Sequence, residues 1–134
     1  MIYGLEVDAL GGAPGIYSAR YAGSPLKGQA KDAANSAQLI ADLAHVPADQ
    51  RTARFQCVLV YMRHATDPTP LICQAAWEGV IMESAQGEHG FGYDPIFQLI
   101  EKRCRAAQLT PTEKISISHR GKALAQLQRA LAQG

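Results

Sequence analysis

The chain has 134 residues, of which 47% are apolar, so it can bury the core of one domain. Its formal net charge is +1 at pH 7 and no basic block occurs, which predicts neither a nucleic-acid partner nor a membrane partner. Three widely spaced cysteines exclude a disulfide framework, and without a leader pattern or a membrane-length apolar run the sequence predicts a cytoplasmic protein.

The first third of the chain predicts a strand and a helix. Residues 2–10 alternate between apolar and polar side chains, which is typical of a half-buried strand, and Glu6 and Asp8 share its polar face. The glycine-rich stretch GGAPG then ends the strand. Apolar residues at helical spacing predict a helix over residues 32–45, with Asp32 as its N-cap.

The middle of the chain contains two strand candidates. ARFQCVLVYM (53–62) and LICQAAWEGVIM (71–82) are rich in branched and aromatic residues. The connection between them, RHATDPTP, has the proline and aspartate content of a wide hairpin turn. The two strands are therefore expected to be antiparallel neighbours.

The segment HGFGYDPIF (89–97) fits a core strand poorly. Glycine loses backbone entropy in a strand, and proline cannot donate to the ladder of hydrogen bonds. One interpretation is a strand that ends in a turn at Asp94 and Pro95. The other is that something besides packing determines the segment, such as the binding of a ligand.

Two helix starts follow towards the C-terminus. Thr110, Pro111 and Glu113 have the spacing of a capping box with proline at the first helical position. A second amphipathic helix is expected to begin after Ser118, its N-cap, and to continue to Gly134.

A polar cluster bridges these helix starts and consists of Lys114, Ser118, His119 and Arg120. Three potential cations and a hydroxyl group, beside free helix N–H groups, suit an electron-rich ligand such as a carbonyl oxygen, a ring nitrogen or a phosphate. The alternative is a solvated turn in which Ser118 is an ordinary helix cap.

Three segments, taken in order, carry a family resemblance: GLEVDALGGAPGIYSARYAG (4–23), HGFGYDPIF (89–97) and EKISISHRGKAL (113–124). They resemble successive signatures of the inosine triphosphate pyrophosphatase family, whose members hydrolyse non-standard purine nucleoside triphosphates such as dITP, ITP and XTP. The resemblance implies an α/β fold with a central twisted mixed sheet flanked by helices. It also implies one domain over residues 1–134, equivalent to the C-terminal two-thirds of the family's domain.

The resemblance further implies a purine pocket. Phe91 is similar to the aromatic residue that stacks on the base, and Lys114, His119 and Arg120 match the residues that read the base edge. Such donors suit the 6-oxo acceptor of hypoxanthine or xanthine, whereas the amino group of adenine would leave a buried cation unpaired. The implied substrate-binding residues are Phe91, Gly92, Tyr93, Asp94, Lys114, Ser118, His119 and Arg120.

The chain departs from the family pattern at its start. In the family, magnesium and carboxylates promote attack of water on the α-phosphorus, which gives a monophosphate and pyrophosphate. Relatives carry an Asp-Asp-Ser-Gly motif, and Met1, Ile2 and Tyr3 stand at its first three positions here. We therefore expect an N-terminally truncated form without the catalytic aspartates, in which Glu6 and Asp8 are the remaining candidates for holding magnesium.

Two hypotheses follow for the function. The chain is a purine nucleoside triphosphate pyrophosphatase by family, with activity that is weak or lost, or it is a noncatalytic remnant that binds purine nucleotides or dimerises. Because members of the family are typically homodimers, the expected partners are a nucleotide and either a second copy or a full-length relative.

Overall fold

The computed structural model describes residues 1–133, which form a sheet of four strands packed against helices. In chain order, the strands and α-helices are β1 (Ile2–Val7), α1 (Gly28–Asp42), β2 (Thr52–Tyr61), β3 (Leu71–Ile81), β4 (Phe97–Leu99), α2 (Pro111–Ile117) and α3 (His119–Gln133). In this described part of the chain, the helices are too short or too polar to span a lipid bilayer.

The strands follow one another across the sheet in the order β1-β2-β3-β4. β2 and β3 form the expected hairpin, with Thr52 opposite Val80 and Tyr61 opposite Leu71. The α/β class is confirmed, and within residues 1–133 each strand pairing is antiparallel rather than part of a mixed sheet. Each strand begins at the edge of the sheet where the preceding strand ended. Neighbouring strands therefore run in opposite directions.

β1 is shorter than its alternating pattern predicts. It ends at Val7, and Asp8–Leu10 form a 3-10 turn that is followed by Gly11, whose φ of 65° lies in the left-handed region. The alternation itself is confirmed, because Leu5 and Val7 are fully buried on the helix side of the sheet.

α1 runs from Gly28 to Asp42 rather than over residues 32–45. Its N-cap is Lys27, so the prediction of Asp32 as the cap is wrong. A capping side chain accepts from amides of its own first turn, whereas Asp32 accepts a hydrogen bond at 3.0 Å from the distant Gly92 N–H. Local spacing cannot distinguish these two uses of an aspartate.

Arg51 fixes the end of α1 to the start of β2. Its buried guanidinium donates to the carbonyl oxygens of Leu43, at 2.7 Å, and Val46, at 3.0 Å. Carbonyls at the end of a helix lack intrahelical partners, and a charged donor satisfies them here. These contacts tie the chain that follows α1 to the start of β2.

The buried side chains of β2 and β3 lie on one face of the sheet, since they alternate along each strand. Around Phe55, Trp77 and Phe97 this face is covered by α1 and by the chain that follows β3. Around the free cysteines Cys57 and Cys73 it is covered by α3. The core thus fills the space between one face of the sheet and the helices.

In residues 89–97 the turn comes first and the strand second. Asp94–Ile96 form a 3-10 turn, and β4 begins at Phe97. The interpretation of a strand that ends at Asp94 and Pro95 is therefore wrong. Gly90 and Gly92 both have positive φ, which keeps the backbone before the turn out of an extended conformation.

α2 and α3 meet at a sharp corner, and the predicted caps are confirmed. The Glu113 N–H donates to Thr110 Oγ1 at 3.2 Å, and the Thr110 N–H donates to Glu113 Oε1 at 3.1 Å. Ser118 Oγ accepts from the Gly121 N–H at 3.1 Å at the start of α3. The expected end of this helix at Gly134 lies outside the described residues.

We expect Gly121→Ala to destabilise the fold, because a Cβ at this position would overlap the carbonyl oxygen of Ile115 in α2. The corner would have to open, at a cost of about 3 kcal/mol in the free energy of unfolding, which urea denaturation measures. Gln128→Ala, at an exposed position of α3, is the control and should stay within about 0.5 kcal/mol of wild type. An unchanged midpoint for Gly121→Ala would contradict the close packing of the corner.

Candidate functional site

Two adjoining cavities open between β1, the α2–α3 corner and residues 87–93, which we call the Phe91 loop. Their volumes are about 300 and 260 Å³. Tyr3, Phe91, Lys114 and His119 line both cavities. The other predicted substrate-binding residues line one cavity or the other: Gly92, Tyr93, Asp94, Ser118 and Arg120. Folding therefore brings together all the residues of the predicted set.

A buried ion pair links the end of the Phe91 loop to α2. The Asp94 carboxylate is only 3% exposed and accepts hydrogen bonds from Lys114 Nζ and, at 3.0 Å, from the Phe91 N–H. Burial raises the pKa of Asp94 above its ordinary value, while Lys114 and the Phe91 N–H act in the opposite direction. A protonated lysine has three N–H donors, so Lys114 keeps others for a ligand.

The Phe91 ring stands at the edge of both cavities. It is 53% exposed, and the Lys114 ammonium lies 4.4 Å from the ring centroid. Gly90 and Gly92 flank it with φ values of 84° and 61°, in the left-handed region that other residues avoid. A side chain at Gly90 would also overlap the Asp94 carboxylate. The two glycines are therefore required by the shape of the loop.

His119 forms a wall of both cavities and is held neutral. Its ring stacks on that of Phe55 with centroids 4.9 Å apart, and the Trp77 ring lies 6.1 Å away. Burial lowers the pKa of His119 to about 4, and nearby positive charges, first that of Lys114, act in the same direction. Within residues 1–133 the buried Nδ1 atom has no hydrogen-bond partner. A buried polar atom without a partner is unusual in a folded protein, and it lies in a residue that lines both cavities.

Ser118 and Arg120 contribute to the first cavity in different ways. Ser118 caps α3 through its Oγ atom, as expected of an ordinary helix cap. The turn around it is not solvated, because Ser118 is buried. Arg120 is exposed, and its guanidinium is accessible from solvent at the cavity. Ser118 therefore shapes the corner, while Arg120 supplies an accessible charge.

Sequence reasoning did not place Tyr3, Ser18 and Asp32 at the site. The Tyr93 hydroxyl donates to the Ser18 carbonyl oxygen at 2.6 Å, and Ser18 Oγ accepts from the Leu5 N–H at 2.9 Å. Burial raises the pKa of Tyr93. The alternation of β1 could have placed Tyr3 on the same face as Leu5, whereas Ser18 and Asp32 carry no local signal.

Glu6 and Asp8 are each bound to cross-strand partners on the side of the sheet away from the core. Arg54 donates to both carboxylate oxygens of Asp8, at 2.9 and 3.0 Å, and lowers the pKa of Asp8 to about 2. Thr52 adds a hydrogen bond to Asp8 at 2.7 Å, and Glu6 accepts from Gln56 at 3.0 Å. Among residues 1–133, no group of three His, Cys, Asp or Glu side chains is arranged to hold a metal ion. The two candidate ligands therefore do not fit magnesium as they stand.

Sequence comparison finds similar proteins along almost the whole chain. A sequence model described as the Ham1 family matches residues 3–130. A dITP/XTP pyrophosphatase of Photobacterium profundum is 59% identical over 128 residues, and one of Shigella flexneri is 57% identical over 131 residues. These alignments cover 96% and 98% of this chain but only 63% and 64% of the two relatives. The chain thus spans less than two-thirds of the length of these curated relatives.

Solved structures of similar proteins have the same fold. A HAM1 protein from Coxiella burnetii has a TM-score of 0.90 at 42% identity, and the Staphylococcus aureus Ham1 protein has a TM-score of 0.86 at 40% identity. Each comparison covers 98% of this chain, with 65% and 64% of the other chains. The α/β fold of the family is therefore confirmed for this chain, with an antiparallel sheet in residues 1–133.

We expect His119 to make the stability of the fold depend on pH. The pKa of His119 falls from 6.5 to about 4 on folding, so the unfolded chain takes up the proton first as the pH falls. The stabilising contribution is fully present above the unfolded pKa and is lost between about pH 6.5 and pH 4, in total about 3 kcal/mol. Urea unfolding across this range should show a steeper loss for wild type than for His119→Gln.

The comparison between the two proteins isolates His119. The raised pKa of Asp94 adds stability as the pH falls, but it does so in both proteins and cancels in the difference. His45→Gln, at an exposed position, is the matched control and should keep the wild-type slope. Parallel curves for wild type and His119→Gln would show that the fold does not depend on a neutral imidazole.

Proposed function

Since the chain belongs to the Ham1 family, we propose that it recognises the base of oxo-purine nucleoside triphosphates such as dITP, ITP and XTP and hydrolyses them to the monophosphate and pyrophosphate. The names of its relatives, dITP/XTP pyrophosphatase, support this proposal. The observation that carries it is the convergence of Phe91, Lys114, His119 and Arg120 on two adjoining cavities.

In this proposal Phe91 stacks on the purine ring. Its half-exposed face is accessible from the cavities, and aromatic faces favour offset stacking on flat ring systems. The Lys114 ammonium beside the ring supplies a donor directed at the edge of the same ligand. The base is therefore held by its face and by its edge at once.

The charges of the site select the oxo-purine edge. Lys114 and Arg120 are donors without acceptor atoms, so they suit the 6-oxo group of hypoxanthine or xanthine. The 6-amino group of adenine is itself a donor and would leave a desolvated cation unpaired, which can reject a substrate by several powers of ten. His119, as a neutral imidazole, can either donate to or accept from a ring nitrogen. The discrimination is thus directed against adenine.

Magnesium is the proposed cofactor of the hydrolysis, where it would supply charge neutralisation at the phosphates. Glu6 and Asp8 could hold such an ion only after release from Gln56 and Arg54. We therefore assign the hydrolytic step to neither carboxylate.

A second candidate function is binding of purine nucleotides without hydrolysis. One observation favours it: Asp8, one of the two candidate magnesium ligands, is occupied by a bidentate contact with Arg54. Pyrophosphate release from dITP, XTP and ATP, with and without magnesium, separates the two candidates. Magnesium-dependent turnover of dITP and XTP alone supports hydrolysis, whereas binding of dITP without turnover supports the second candidate.

The remaining expectations are also part of the proposal. These are a single domain over residues 1–134, a cytoplasmic location, and pairing with a second copy or a full-length relative. Exposed aliphatic side chains on the outer face of the sheet support the pairing, because Val60 lies opposite Ile72 and both are exposed, as is Ile2 in β1. Sedimentation of the purified chain tests it.

We expect Arg120→Ala to weaken the affinity for dITP at least about tenfold, because the variant loses a charged donor to the base edge. The single tryptophan, Trp77, lies beside His119, so its fluorescence reports on the site during titration. Arg129→Ala removes the same charge from an exposed position of α3 outside the cavities and is the matched control. Equal dITP affinities for the two variants would remove Arg120 from the proposed site.

A further inference from the structure

Asp32 connects α1 to the Phe91 loop across a long stretch of chain. Its Oδ2 atom accepts the Gly92 N–H at 3.0 Å, although 60 positions separate the two residues. Asp32 lies inside α1 rather than at its N-cap, so its carboxylate is free of a capping role. Asp32 therefore belongs to the surroundings of the site.

The loop is held by two carboxylates on successive amides. Asp94 accepts from the Phe91 N–H and Asp32 accepts from the Gly92 N–H, each at 3.0 Å. The residues on either side of Phe91, Gly90 and Gly92, carry no side chain that restricts the backbone. These two hydrogen bonds, together with the Asp94 N–H that donates to the Phe91 carbonyl oxygen at 3.2 Å, therefore set the position of Phe91.

Packing contributes little to the position of the Phe91 ring. The ring is 53% exposed, and a third cavity of about 540 Å³ lies between the loop and α1. Phe91 and Asp32 line both this cavity and the smaller of the two site cavities. If the Gly92 N–H were released, the loop would have room to move back towards α1 and away from the site.

The face of α1 that carries Asp32 is itself fixed. Asn35, one turn further along, is only 3% exposed. Its Oδ1 accepts from the Ala22 N–H at 2.9 Å, and its Nδ2 donates to the Ala19 carbonyl oxygen at 3.2 Å. Leu39 continues the same helix into the core. Asp32 thus acts from a rigid support.

We propose that Asp32 is a positioning residue for base recognition: its carboxylate holds the Gly92 amide, and so keeps the Phe91 ring over the site and out of the cavity behind it. This inference rests on the proposed function for the role of Phe91, but the restraint on the loop is a property of the fold alone. In this proposal Asp32 acts through the Gly92 amide, to which it is bound, rather than as the residue that reads the base edge.

Limited digestion with chymotrypsin tests the restraint without any nucleotide. Asp32→Ala should increase the cleavage rate after Phe91 at least about tenfold, because release of the Gly92 amide exposes the loop to the protease. Asp32→Asn keeps an acceptor oxygen and should restore a rate near that of wild type. Cleavage after Tyr61, which is 39% exposed at the end of β2 and lines none of the three cavities, is the internal reference. An unchanged rate at Phe91 in Asp32→Ala would overturn the proposal.

Titration with dITP tests the consequence for binding. Asp32→Ala should weaken the affinity about five- to tenfold, Asp32→Asn about twofold or less, and Asp49→Ala, at an exposed position outside the site, not at all. If Asp32→Ala frees the loop but its dITP affinity equals that of wild type, the proposed role of Asp32 in base recognition is overturned. If the wild-type chain shows the restraint on the Phe91 loop but binds no dITP, the proposed function fails, while the restraint by Asp32 stays supported.

Hydrogen exchange on the wild-type chain covers the case in which Asp32→Ala does not fold. The Gly92 amide should exchange more slowly than the Gly90 amide. The Gly92 N–H is donated to the Asp32 carboxylate, whereas the Gly90 N–H has no acceptor within residues 1–133. Equal and fast exchange of the two amides would overturn the restraint directly.

Discussion

The buried contact between Asp94 and Lys114 is the interaction on which the site depends. It joins the Phe91 loop to α2, and the same carboxylate also binds the Phe91 amide. A charge buried to this extent is costly unless it is paired, so removal of either partner costs about 3–5 kcal/mol and leaves the other charge uncompensated. The pair therefore keeps two segments, distant in sequence, at a fixed separation. The cavities lie between those segments.

Around this pair, buried aromatic rings lie next to charged side chains. The aromatic rings of Phe55 and Trp77 pack against His119, and this burial keeps the imidazole neutral beside two cations. The imidazole of His119, the amine of Lys114 and the guanidinium of Arg120 offer different hydrogen-bonding properties within one small space. This difference allows a site to distinguish purines that have similar shapes, because the wrong edge leaves a desolvated group unpaired.

The parts of the fold that were predicted correctly depend on neighbours in sequence. The capping box at Thr110 and Glu113 and the Ser118 cap involve residues three positions apart, and the β2–β3 hairpin follows from adjacent strands with a turn between them. Family motifs identified the set around Phe91 and His119. Asp32 was assigned wrongly because α1 begins at Gly28, four residues before it, and the partner of its carboxylate lies in another segment. The mixed sheet was expected from the family rather than from any pattern in the residues.

By itself, the sequence determined the element types, the buried face of each strand and the chemical character of the residues around the site, because side-chain periodicity and caps act over a few positions. Only the tertiary structure decided which partner each carboxylate binds. Asp94 pairs with Lys114, Asp32 holds Gly92, and Asp8 is occupied by Arg54. These assignments depend on burial and on distances between remote segments, which set the cost of leaving a charge unpaired and therefore select its partner.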